Sequence, residues 1–195
     1  MERSWAHVSD DELVEQIRLG NEDAAEELIR RYYVSILRYC RRHCSSSEAA
    51  EDLTQETFYR LFKNLSGYKE KKKFKTYLYT IANHLCIDEG RKIQPYPLEK
   101  EEDIVNEHDE ILRIEDKAEI SCLLSIVSPE QREAVILHFG EQLSFKEIAK
   151  VMGGNMRTAQ SRVRNALQIM RKEKRDERLG VKRNFTKISA AGSTA

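Results

Sequence analysis

Apolar side chains recur along this chain at three- and four-residue intervals, the spacing of a single buried helical face. From Asn21 through His43 they fall at Ala25, Leu28, Ile29, Tyr32, Tyr33, Ile36, Leu37 and Cys40, which predicts one long amphipathic helix. A shorter helix is predicted before it. Ser9-Asp10-Asp11-Glu12 has the Ser-x-x-Glu form in which two side chains satisfy each other's free backbone amides, and Leu13 and Ile17 continue an apolar stripe. Ser45-Ser46-Ser47 ends the long helix and offers an N-cap to the next, from Glu48 to about Leu65. After a basic loop, Phe74, Leu78, Ile81 and Leu85 mark a fourth helix, with Lys75, Thr76, Tyr79, Thr80 and Asn83 largely away from that stripe. Its predicted end is near Gly90-Arg91-Lys92, because Gln94-Pro95-Tyr96-Pro97 cannot continue a helix.

The C-terminal half repeats these signals. Ser128-Pro129-Glu130-Gln131 places Ser at an N-cap, Pro at the first helical position and Gln at the third. Ser144-Phe145-Lys146-Glu147 starts another helix, and Gly153-Gly154-Asn155 separates it from a longer, arginine-rich one. A short helix, a tight turn and a longer helix make a helix-turn-helix. Ile148, Ala149, Val151 and Met152 can then face Ala159, Val163, Ala166 and Leu167. Arg157, Thr158, Gln160, Ser161, Arg162, Arg164 and Asn165 are left on or near the outside. Those residue types are the ones that bridge guanine or adenine edges and grip phosphates in a major groove.

Charge sharpens this picture. Net charge is zero, yet residues 1–59 hold 13 acidic against 7 basic side chains and residues 60–92 hold 3 against 9. Residues 93–140 are again acidic, 12 against 4, and residues 141–175 again basic, 3 against 9. Two cationic blocks held apart by an anionic one suit a chain that touches a polyanion at two places. With 34% charged residues, 8 glycines and 3 prolines, helix is favoured over sheet. No run approaches the roughly 20 apolar residues that span a bilayer and the N-terminus lacks a signal-peptide pattern, so a cytoplasmic chain with no membrane insertion is expected. The cysteines, Cys40, Cys44, Cys86 and Cys122, are irregularly spaced. Cys40, His43 and Cys44 offer three soft ligands, but a fourth is not evident, and burial as small hydrophobes is the plainer expectation. No metal or cofactor is expected.

Two stretches together resemble the extracytoplasmic-function (ECF) sigma factors of the sigma-70 family. Ala50-Glu51-Asp52-Leu53-Thr54-Gln55-Glu56-Thr57-Phe58 and Phe74-Lys75-Thr76-Tyr77-Leu78-Tyr79-Thr80-Ile81-Ala82 are similar to region 2. Ser128 through Val135, Leu143 through Ala149 and Arg157-Thr158-Ala159-Gln160-Ser161-Arg162 are similar to region 4. The resemblance implies an all-α chain of two helical domains joined by a flexible acidic linker: region 2 over 9–92, the linker over 93–110, region 4 over 111–175, and a disordered tail over 176–195. It implies a binding protein, with no catalytic residue, that takes core RNA polymerase and promoter DNA as partners and is held by an anti-sigma protein.

By the same resemblance Asp52, Gln55 and Glu56 meet the β′ clamp helices, and region 4 meets the β flap. Their i, i+3, i+4 spacing independently puts the three on one helical face. Lys69, Lys71, Lys72 and Lys73 fall in the loop that holds a flipped −10 base. Thr76, Tyr79, Thr80, Asn83 and Arg91 face the non-template strand. Arg157, Thr158, Gln160, Ser161, Arg162, Arg164 and Asn165 read the −35 element. The chain departs from common members at Tyr77 for Trp, His84 for Asn, Gly153-Gly154-Asn155 for Gly-Ile-Pro and Gln160 for Lys. A one-component regulator using only the C-terminal helix-turn-helix, or a metal or thiol site at Cys40, His43 and Cys44, is the rival function.

Overall fold

The computed structural model describes Trp5 and residues 7–44, 46–69, 73–90 and 119–178. Helices account for almost all of them, and no strand occurs among the described residues. They are α1 (Asp10–Arg18), α2 (Glu22–Arg41), α3 (Ser47–Lys63), α4 (Phe74–Gly90), α5 (described over 119–125), α6 (Pro129–Val135), α7 (Phe145–Val151) and α8 (Met156–Arg178). A 3-10 turn, Leu65–Gly67, follows α3, and a π-helical turn, Ile136–Gly140, follows α6. No described helix is long and apolar enough to cross a membrane.

Each start is set by a side chain that satisfies a free amide. Ser9, Ser128 and Ser144 close full capping boxes with Glu12, Gln131 and Glu147. Asn21 caps α2 through the Ala24 N–H, and Ser46 caps α3 through the Ala49 N–H. The expected end of α3 near Leu65 falls slightly earlier, at Lys63, where the chain tightens into the 3-10 turn.

Packing groups the described residues into two units. The first groups those up to 90 with Leu137–Gln160, and the second groups 119–136 with 161–178. In the first, α2 packs on α1, α3 and α4, and α4 also packs on α3 and α7. Leu13, Leu28, Ile36, Leu61, Leu78, Ile148 and Val151 are fully buried. The physical reason for the grouping is that α4 is buried on two faces, one by α2 and α3 and one by residues 141–151. Arg31 ties α1 to α2: it donates to Asp10 (3.0 Å), Glu27 (2.8 Å) and the Trp5 carbonyl (2.7 Å). Tyr32 donates to the other Asp10 oxygen at 2.6 Å, and burial, then Asp10, raises its pKa.

In the second unit Val127, Val135 and Ala166 form a small core, with Leu124, Ile126 and Met170 packed on it. Arg132 closes the α5–α6 connection by donating to the Leu124 carbonyl at 2.8 Å. The predicted linker at 93–110, residues 111–118 and the tail beyond 178 lie outside the described residues.

Candidate nucleic-acid interface

Helix α3 separates a buried from an exposed face. Ala50, Thr54, Thr57, Phe58 and Leu61 point inward, and the two threonine hydroxyls donate to the carbonyls of Ala50 and Leu53, each at 2.7 Å, so burial leaves them paired. Asp52 and Gln55 are exposed and Glu56 is half-buried, all on the opposite side. Glu56 is held by Arg60 at 2.6 Å. Tyr59, one turn beyond Gln55, is 59% exposed with the Lys63 ammonium 5.5 Å from its ring centroid. Sequence reasoning missed it; an aromatic four residues after Gln55 on an otherwise polar face was the available signal.

The basic loop leaves and re-enters the fold through a clamp that sequence reasoning also missed. Tyr68 is buried, its ring 5.9 Å from that of Phe74 and 5.2 Å from that of Tyr77. Its hydroxyl donates to Asp11 at 3.0 Å. Arg18 donates to the carbonyls of Leu65, at 2.8 Å, and Tyr68. Lys69 and Lys73 are exposed beside this clamp. Lys71, Lys72 and Arg91 lie outside the described residues.

On α4 the residues that lie away from the apolar stripe are themselves largely covered. Thr76 and Tyr79 have no exposed surface and Asn83 is 4% exposed; Thr80 is half-buried and returns its hydroxyl to the Thr76 carbonyl at 2.8 Å. Thr76 donates to Glu147 at 3.1 Å, Tyr79 donates to Glu141, and Asn83 donates to the Val151 carbonyl at 3.0 Å. Lys75 donates to the Glu141 carbonyl at 2.7 Å, and its ammonium lies 3.8 Å from the Glu141 carboxylate. Burial, then the Glu141 carboxylate, raises the Tyr79 pKa. Burial works against ionisation of Glu147. Hydrogen bonds from the Ser144 hydroxyl and amide and from Thr76, with the Lys75 charge, outweigh it and lower the pKa. A single apolar stripe hid this second contact face, because polar groups that find partners bury as readily as apolar ones.

The helix-turn-helix forms around the expected residues. Ile148, Ala149, Val151, Ala159, Val163 and Ala166 are buried, and Met152 and Leu167 are half-buried. The turn is made by Gly153 at φ +65° and by the Gly154 N–H donating to the Ala149 carbonyl at 2.7 Å. Asn155 then caps α8 by accepting from the Thr158 N–H at 2.8 Å. Arg157, Gln160, Arg164 and Asn165 are exposed, and Thr158, Ser161 and Arg162 are half-buried. The Glu130 pKa is lowered first by its own backbone amide, then by Ser128, with a smaller contribution from the Arg162 charge.

Cys40 and Cys86 are buried, and Cys44 is half-buried with its thiol pushed up to about 12, chiefly by burial. Such a thiol is protonated and a poor nucleophile at neutral pH. Among the described residues no three His, Cys, Asp or Glu side chains could hold a metal ion.

Residues 28–95 match the family model of sigma-70 region 2, and residues 117–170 that of sigma-70 region 4. The chain is 28% identical to the ECF RNA polymerase sigma factor SigW of Bacillus subtilis over 84% of its own length and 95% of the relative's. It is 30% identical to the ECF RNA polymerase sigma factor SigC of Mycobacterium tuberculosis, over 83% and 93%. In fold it is similar to CnrH, solved in complex with the cytosolic domain of CnrY, at TM-score 0.66 and 19% identity over 86% of this chain and 98% of that one. It is also similar to the sigma factor RpoE of Bartonella quintana, solved with the anti-sigma factor NepR, at TM-score 0.61 and 20% identity over 81% and 98%.

Proposed function

The chain belongs to the ECF group of sigma-70 RNA polymerase sigma factors, and from that membership we propose how its surfaces divide the work of promoter-directed initiation. The α3 face of Asp52, Gln55 and Glu56 docks on the clamp helices of β′, with Tyr59 adding apolar area beside it. Region 4 contacts the β flap. The exposed side of α8 enters the −35 major groove, where Arg157, Arg162 and Arg164 grip guanine edges or phosphates and Gln160 and Asn165 address adenine edges, flanked by Thr158 and Ser161.

Melting at −10 falls to the Lys69, Lys71, Lys72 and Lys73 loop and to Thr76, Tyr79, Thr80, Asn83 and Arg91. Replacing base stacking of about 1.4 kcal/mol per step needs only one or two captured bases, at about 1–3 kcal/mol each, plus phosphate contacts. No bond is made or broken by the chain, so all its leverage is binding free energy. A protein anti-sigma partner is proposed for it as well; the two relatives in fold were each solved bound to another protein, one of them an anti-sigma factor.

What supports this division most is α8, whose Arg157, Gln160, Arg164 and Asn165 are exposed while Ala159, Val163 and Ala166 are buried. The test is run-off transcription with purified core polymerase across a promoter library, paired with gel shifts with and without core. Promoter-dependent RNA that requires the chain is expected, with weak DNA binding by the chain alone. Tight sequence-specific binding by the free chain, with no promoter-dependent RNA, would overturn it in favour of a one-component regulator.

A further inference from the structure

Helix α1 is fastened to α2 on one side and to the root of the basic loop on the other. On the α2 side Asp10 accepts from Arg31 and Tyr32, and Leu13 and Val14 are buried. On the loop side Asp11 accepts from the Tyr68 hydroxyl at 3.0 Å, and Arg18 donates to the carbonyls of Leu65, at 2.8 Å, and Tyr68. These two carbonyls lie where the helical course of α3 and its 3-10 turn stops, the place at which a helical run presents acceptors, and one guanidinium covers both. Tyr68 closes the loop at its base. It precedes Lys69, and its buried ring lies 5.9 Å from that of Phe74 and 5.2 Å from that of Tyr77, which follow Lys73. Between these stems the sequence sets four lysines within five residues, and their charges repel.

We infer that Arg18 and Asp11 position the −10 loop, so that base capture depends on α1, a helix that lies outside the span 28–95 matched by the region 2 model. The inference rests on the assignment of that loop to the −10 base made above. Arg18, Asp11 and Tyr68 are positioning residues: they act through the loop whose two ends they hold. Attraction between lysines and phosphates works at a distance and tolerates a loose loop, whereas capture of one base requires a fixed geometry. Holding both ends beforehand reduces what must be ordered when the strand arrives. Loosening the root therefore separates the two contributions, leaving the charge attraction and removing the base capture.

The test uses the full-length chain bound to core polymerase. It is titrated with a labelled single-stranded DNA carrying the non-template −10 sequence of a promoter active in run-off transcription, and with copies that each bear one abasic position. The wild-type chain is expected to lose about tenfold in affinity at one abasic position, the captured base. Arg18→Ala is expected to bind the intact strand about tenfold more weakly and to show no abasic penalty, with the wild-type salt dependence and core affinity retained. The penalty is a ratio of two affinities on one preparation, so a merely structural loss, which lowers the folded fraction, leaves it at its wild-type value. Arg18→Lys, which keeps a cationic donor, is expected to restore part of it. Tyr68→Phe keeps both ring contacts and loses only the bond to Asp11, and its penalty is expected to fall to about threefold. A full abasic penalty in Arg18→Ala, or in Tyr68→Phe should Arg18→Ala fold poorly, overturns the positioning role. A wild-type chain without any abasic penalty overturns it as well. In that case strand affinity unchanged by Lys69→Ala with Lys73→Ala removes the −10 assignment of the loop too, whereas weakened affinity leaves the loop as a phosphate contact and removes only its positioning.

Discussion

Asn83 shows how much one side chain carries here. It accepts from the buried Tyr39 hydroxyl at 3.1 Å and donates to the Val151 carbonyl at 3.0 Å, linking α2 to α7 through α4. Tyr39→Phe leaves the Asn83 carbonyl short of that donor in a dry site, so a loss of about 1–3 kcal/mol is expected in urea unfolding. At the helix-turn-helix turn the constraint is backbone. Gly153 has φ +65°, and a methyl added there would meet nothing within 4 Å, so the cost of Gly153→Ala is conformational alone, about 1–2 kcal/mol. Gly154 has equal room and no positive φ, and Gly154→Ala is expected to leave the melting temperature unchanged or slightly raised. The glycine pair was legible in the sequence as a turn; which of the two is obligatory was not, because that depends on the dihedral each adopts.

Helices were the most legible level. The Ser-x-x-Glu/Gln pattern is local in sequence and local in space, so the boxes at Ser9, Ser128 and Ser144 close as expected. Outward faces were legible only where nothing covers them. Asp52 and Gln55 are exposed on α3 as their spacing requires, and Asp52→Ala with Gln55→Ala is expected to weaken core-polymerase binding by about 1–3 kcal/mol while α3 keeps its helicity in circular dichroism. On α8, Arg162→Ala is expected to weaken −35 occupancy in footprinting by about 1–3 kcal/mol. On α4 the acceptors that cover Thr76, Tyr79 and Asn83 lie 71, 62 and 68 residues away. No local spacing encodes a contact at that range.

Across the whole molecule, several carboxylates are ionised more readily than usual in the folded chain. Glu27 is lowered chiefly by Arg31, Glu130 chiefly by its own amide, and Glu147 by Ser144, Thr76 and Lys75 against the cost of burial. Each therefore contributes stability that is present above the ordinary value of 4.5 and is lost as pH falls through the folded-state value. The thermal midpoint is expected to be flat near neutrality and to fall steeply below about pH 4.5, with Glu147→Gln, which keeps the cap but not the charge, removing part of that slope. Amino-acid order alone determined the helices, their caps and the alternation of cationic and anionic blocks, because each rests on neighbours within a few residues or on summed charge. Only the tertiary structure decided that Leu137–Gln160 groups with the N-terminal helices and that the polar side of α4 is buried. Donors and acceptors carry no address in the sequence: nothing local to Tyr79 or Glu141 pairs them until the fold sets one against the other and removes the water between them.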